Sequence, residues 1–106
     1  MSTQPLSDTE TSQHIFQAIV PSASQSISTS GASTQSTQFS GTTTIIRIFC
    51  TQDTFIAFGS NPTANTSGSS LFMPGGIVEY FGVTPSTKIA VIQSSMSGTV
   101  YCTEGH

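Results

Sequence analysis

Few side chains in this sequence can do chemistry: His14 and His106, Cys50 and Cys102, the carboxylates Asp8, Glu10, Asp53, Glu79 and Glu104, and the two cations Arg47 and Lys88. Histidine is the usual general acid or base near neutral pH. Neither histidine has a serine, cysteine or aspartate beside it in a triad pattern, although triads are assembled in space and sequence leaves that question open. Paired carboxylates would serve glycoside hydrolysis only if held at a fixed separation, and nothing in the sequence puts two of them on one surface. Asp53 sits among turn residues, where Asp commonly bonds backbone. Glu79 and Glu104 fall in or beside apolar runs, where pairing with Arg47 or Lys88, or plain solvation, is the simpler expectation.

Metal and phosphate chemistry fare no better. Calcium needs several oxygen ligands at short fixed spacing, and no such loop is present. Two cysteines and two distant histidines do not make a zinc site. The stretch GSNPTANTSGSS at 59–70 is rich in small residues, but it lacks the Gly-Lys-Ser/Thr ending and the following helix of a phosphate loop. Asn65-Thr66-Ser67 fits a glycosylation sequon, which carries weight only in a secreted chain. The expectation is no catalytic, cofactor-binding or metal residue, no cofactor and no enzyme activity. The 59–70 stretch is read as a surface connection between strands, a place where partners are often contacted.

The elements that would position these residues are strands. A chain of 106 residues fits one domain of ordinary size. TTTIIRIFCT at 42–51 is β-branched and aromatic, and alternation puts Ile46, Ile48 and Cys50 on one face, with Ile45, Arg47 and Phe49 on the other. Neither face is wholly polar, so both are expected to be covered. TFIAFG follows after Gln52 and Asp53, and that spacing predicts an antiparallel hairpin. SLFM, GIVEYFGV, TKIAVIQS and GTVYCTE are further short strands separated by Pro and Gly turns. No helical period is sustained anywhere, and Leu, Glu, Lys and Arg are scarce. The pattern predicts an all-β fold: a single β-sandwich, jelly-roll-like, with an extended N-terminal arm. An immunoglobulin arrangement is disfavoured by the absence of Trp.

The arm is residues 1–40, dominated by Ser, Thr and Gln, ahead of a β-sandwich core at 41–106. Residues 1–11 are expected to be mobile and 12–40 partly β. The island HIFQAIV at 14–20 contributes Ile15, Phe16, Ile19 and Val20, apolar residues with little local core to join, and these are candidate partner-interface residues. Phe72 and Met73 are read two ways, as interface anchors or as ordinary core positions. Cys50 and Cys102 each end an alternating apolar run and are expected as buried thiols, with a disulfide as the other option.

Charged residues make up 7% of the chain, against about a quarter in typical domains. With a net charge of −3 and two cations, the chain cannot neutralise a run of phosphates, so nucleic acid and anionic membrane are not expected partners. The first residues show no basic and apolar signal pattern, and no apolar run reaches membrane-spanning length, which predicts a cytoplasmic site of synthesis.

Residues 45–104 carry a resemblance. The arginine strand IIRIFC, FIAFGSNPTA, LFMPGGIVEYFGV, the Pro-x-x-Lys turn with KIAVI and the final GTVYCTE resemble small virion structural proteins of tailed bacteriophages, of the capsid decoration or cement type. The resemblance implies a jelly-roll-like sandwich, made in the bacterial host cytoplasm and placed on the capsid surface of the virion. It implies as partners the major capsid protein and further copies of the chain, as homodimer or homotrimer. A tail, neck or fibre-associated structural or carbohydrate-binding adaptor module is the alternative.

Overall fold

The computed structural model describes residues 19–106. His14, Ile15, Phe16 and the expected mobile segment 1–11 lie outside the described residues. Among the described residues eight strands follow one another: β1 (Pro21–Ser28), β2 (Thr34–Gln35), β3 (Ile45–Cys50), β4 (Thr54–Gly59), β5 (Leu71–Met73), β6 (Val78–Gly82), β7 (Lys88–Gln93) and β8 (Thr99–Gly105). The described residues are all-β, without a helix. Among the described residues no helix is long and apolar enough to cross a membrane.

The strands form two antiparallel four-stranded sheets, ordered β1-β8-β3-β6 (sheet A) and β2-β7-β4-β5 (sheet B). Residues 21–40 are built into both sheets. β1 pairs along its length with β8, β2 pairs with β7, and Ile27 and Phe39 are buried in the core. Short serine and threonine side chains suit this edge position, because their outward faces meet solvent while the backbone completes the ladder.

One core joins the two sheets. Ile27, Ile46, Ile48, Cys50, Val100 and Cys102 come from sheet A, and Ile56, Met73, Ile89 and Val91 from sheet B, with Phe39 between strands. Alternation along β3 is followed to the residue: Ile46, Ile48 and Cys50 are fully buried, while Ile45, Arg47 and Phe49 are half-buried on the outer face. The outer face is therefore only partly covered.

The expected hairpin of β3 with β4 does not form. β3 pairs with β6 and β8, and β4 pairs with β5 and β7. Residues 51–53 carry the chain from one sheet to the other, so that the apolar side chains of both strands meet across the core instead of lying side by side. The consecutive strands that do pair are β4 and β5, joined by the long stretch 60–70.

Turn chemistry fixes these crossings. Gly75 packs so closely on the 51–53 turn that a side-chain carbon there would sit 2.8 Å from Gln52 Cα. Gly76 follows at φ +82°, a left-handed conformation suited to glycine, and its N–H donates to the Cys50 carbonyl at 2.7 Å. Three of the four sheet edges are managed by size and charge: β2 and β5 are only two and three residues long, and Glu79 on edge strand β6 lies opposite core residue Ile48. A carboxylate on the inward side of an edge discourages sheet-to-sheet pairing.

Candidate functional site

The residues with chemical potential are dispersed and have structural work. Glu104 lies on the inner face of β8, opposite Ile46, and is buried. One of its carboxylate oxygens, Oε1, accepts hydrogen bonds from the Thr43 hydroxyl at 2.7 Å and from the Ser40 N–H at 2.9 Å. It therefore ties the 36–44 crossing to β8 and pairs with neither Arg47 nor Lys88. Asp53 Oδ1 accepts from the Gly75 N–H at 2.8 Å, joining the 51–53 turn to the β5–β6 turn. Lys88 Nζ reaches Gln35 Oε1 at 3.4 Å. The exposed His106 exchanges backbone hydrogen bonds with Val20. Among the described residues no group of three or more His, Cys, Asp or Glu is placed to hold a metal ion.

Cys50 and Cys102 are free and buried on neighbouring strands β3 and β8. Burial raises the thiol of Cys102 to about 12, assisted by the charge of Glu104, and burial also raises Cys50, partly offset by a hydrogen bond with Thr54. Both thiols should fail to react with an aromatic disulfide reagent in the native protein and react fully in urea. Because the native pKa values lie above the ordinary 9.0, the unfolded chain loses these protons first. Stability from the thiols is complete below about pH 9 and is lost as pH rises toward 12, which denaturant midpoints between pH 8 and 11 will register. Prompt native labelling would contradict the burial.

The 60–70 stretch is a flap over the outer face of sheet B. Ala90 faces outward, paired with Ala57, yet is 0% exposed, because Pro62 and Ala64 lie buried in the covering segment. Gln35 Nε2 donates to Asn61 Oδ1 at 2.8 Å and to the Pro62 carbonyl at 2.9 Å, and the Ala64 N–H donates to Ser33 Oγ at 2.9 Å. Asn65 organises the tip: its Oδ1 accepts from the Ser67 N–H, the Ser67 hydroxyl and the Ser69 hydroxyl. Replacing 63–69 by a short Gly-Ser link should uncover Ala57 and Ala90 and remove the bond to Ser33, lowering stability by about 1–2 kcal/mol without loss of fold. Thermal melting checks this, and global unfolding of the variant would show that the flap is part of the core.

Beside the flap, Phe55 and Phe72 meet edge to face with centroids 5.2 Å apart, and Ile92 pairs with Phe55 on the same outer face. Phe72 is 46% exposed, so this candidate interface residue is at the surface. Met73 is 1% exposed and belongs to the core. Strand alternation sends the two neighbours to opposite faces, and Met73 is corrected from interface anchor to core residue. Val20 is 53% exposed, while Ile19 is half-buried against Gly105, where an added side-chain carbon would come within 2.6 Å of Ile19 Cγ1.

Sheet A presents a second outward surface, an open depression of about 660 Å³. Pairing sets two rows across it: Ser24, Thr103, Arg47 and Tyr80, then Ser26, Tyr101, Phe49 and Val78. The alternation of β3 placed Arg47 and Phe49 together, but nothing in the sequence said that β8, with β1 beyond it, would lie beside them. Compared with protein-family models, curated proteins and solved structures, the chain matches none.

Proposed function

We propose that this protein is a non-enzymatic bacteriophage virion structural protein, a capsid decoration or cement protein that binds and stabilises the major capsid lattice. The observation that carries the reading is the outward apolar row on sheet B: exposed Phe72 stands beside half-buried Phe55 and Ile92 on a strand face with few charges. Such a face loses little charge solvation on docking and offers an aromatic anchor to a partner's pocket. The strand order, with β1 beside β8, β2 beside β7, β3 beside β6 and β4 beside β5, supports a jelly-roll sandwich, and the sequence resemblance over 45–104 spans β3 to β8. In this reading the protein is made in the bacterial cytoplasm, joins the capsid surface and self-associates as a homodimer or homotrimer.

The purified protein should co-sediment with expanded capsids and raise their resistance to heat. Phe72→Ser should weaken capsid binding by about tenfold or more, as loss of an interface anchor does, and leave the melting temperature of the free protein nearly unchanged because the ring is largely outside the core. Equal capsid binding by wild type and variant would remove sheet B as the docking face; no binding by either would remove the capsid assignment.

A further inference from the structure

The outer face of sheet A combines groups that suit a different kind of ligand. Arg47 is the cation lining the depression, and among the described residues no carboxylate lines it. The two acids of sheet A alternate away: Glu79 lies opposite Ile48 and Glu104 opposite Ile46, both on the inner face. A guanidinium is thus turned outward without a neutralising neighbour among the described residues, in a protein whose net charge is −3. On one side of it stand short hydroxyls, with Ser24 Oγ and Thr103 Oγ1 sharing a hydrogen bond of 2.9 Å and Ser26 one row further on. In that next row, beside Ser26, are two rings, Phe49 and Tyr101, with centroids 6.5 Å apart and planes inclined by 35°. Tyr101 is 49% exposed.

We propose that this face binds an acidic carbohydrate, a glycan whose sugars carry carboxylates. The carboxylate is received by the planar fork of Arg47, which matches it in two parallel hydrogen bonds. Sugar hydroxyls exchange hydrogen bonds with Ser24, Ser26 and Thr103, and the apolar face of a sugar ring lies on Tyr101 and Phe49. The volume falls within the usual range of small-molecule sites, and every contributing side chain is mounted on a strand, so little ordering is needed on binding.

The backbone argues for sugar over acidic peptide. β8 and β3 are interior strands whose backbone groups are committed to neighbours on both sides. An extended peptide laid on this face finds no sheet edge to join and loses the main-chain hydrogen bonds that usually hold it. A sugar needs none of them. The charge of the ligand follows from Arg47, since a neutral glycan would leave that cation unmatched. This inference stands apart from the capsid reading, because it uses the opposite sheet and asks nothing of a capsid partner.

Amide-resolved NMR titration of the whole protein tests it, with trigalacturonic acid and 3′-sialyllactose as acidic probes, lactose as the neutral control and a hexaglutamate peptide as the competing class. The expected result is that at least one acidic sugar shifts amides at 24–26, 47–49 and 101–103, that added salt weakens the response, and that lactose gives little. Arg47→Gln should reduce the affinity by about tenfold or more, and Tyr101→Ser should reduce it independently. Unchanged dispersion of the remaining amides verifies the fold of each variant, and Tyr101→Ser decides the matter if Arg47→Gln does not fold. The proposal is overturned if neither acidic sugar shifts these amides, if both variants bind as wild type does, if lactose binds equally, or if hexaglutamate is preferred over both sugars.

Discussion

Replacing Glu104 by alanine is expected to destabilise the protein by about 3–5 kcal/mol, because two hydrogen bonds to one buried carboxylate are lost together. The Thr43 hydroxyl and the Ser40 N–H would be left facing a cavity, without the acceptor that now stands 2.7 and 2.9 Å away. Buried donors without partners are costly because water cannot replace what the fold removed. Glu104→Gln keeps an amide oxygen at the same reach and should lose roughly half as much; Thr43→Val removes one bond and should lose about 1–2 kcal/mol. Urea unfolding measures all three, with the slope unchanged if the variants alter stability alone. A Glu104→Ala variant within about 1 kcal/mol of wild type would show that the carboxylate does not hold the 36–44 crossing onto β8.

A second large effect separates neighbours on one strand. Ile48 is fully buried between the sheets, and Ile48→Ala should cost about 2–5 kcal/mol, the transfer of the missing carbons plus the cavity they leave. Phe49 is larger but faces the half-open depression of sheet A, so Phe49→Ala should cost about 1 kcal/mol. This inverts what residue size alone predicts. A larger loss at Phe49 than at Ile48 would mean that the register of β3 is displaced by one residue, which would turn every side chain of the strand to the other face.

The strands were legible because their alternation is local. Ile46, Ile48 and Cys50 share a face in the sequence and in the core, and the two cysteines were expected as buried thiols and are so placed. Pairing was not legible. The three-residue turn after Cys50 has the length of a hairpin turn, and it serves instead as an arch between sheets. The long 60–70 stretch, which looks like a wandering connection, joins two strands that do pair. Turn length cannot distinguish these cases, because the choice depends on which apolar faces must meet across the core.

The site residues divide along the same line. Exposure of Phe72 and burial of Met73 follow from alternation once one face of β5 is known to be buried, and Glu104 had no local signal of its role because its partners lie some sixty residues earlier in the chain. The depression on sheet A was invisible for the same reason: β1, β3 and β8 come together from three separate parts of the chain. Arg47 and Phe49 marked one strand of it, and the hydroxyls and Tyr101 became its neighbours only through long-range register.

The most direct test of the central claim is the position and copy number of the labelled protein in purified virions, read by electron microscopy with quantitative mass spectrometry. A decoration protein is expected over the head surface, in numbers on the order of tens to hundreds per particle and in ratio to the major capsid protein. Confinement to the tail, neck or fibres in a few multiples of three or six, or absence from purified virions, would contradict the account.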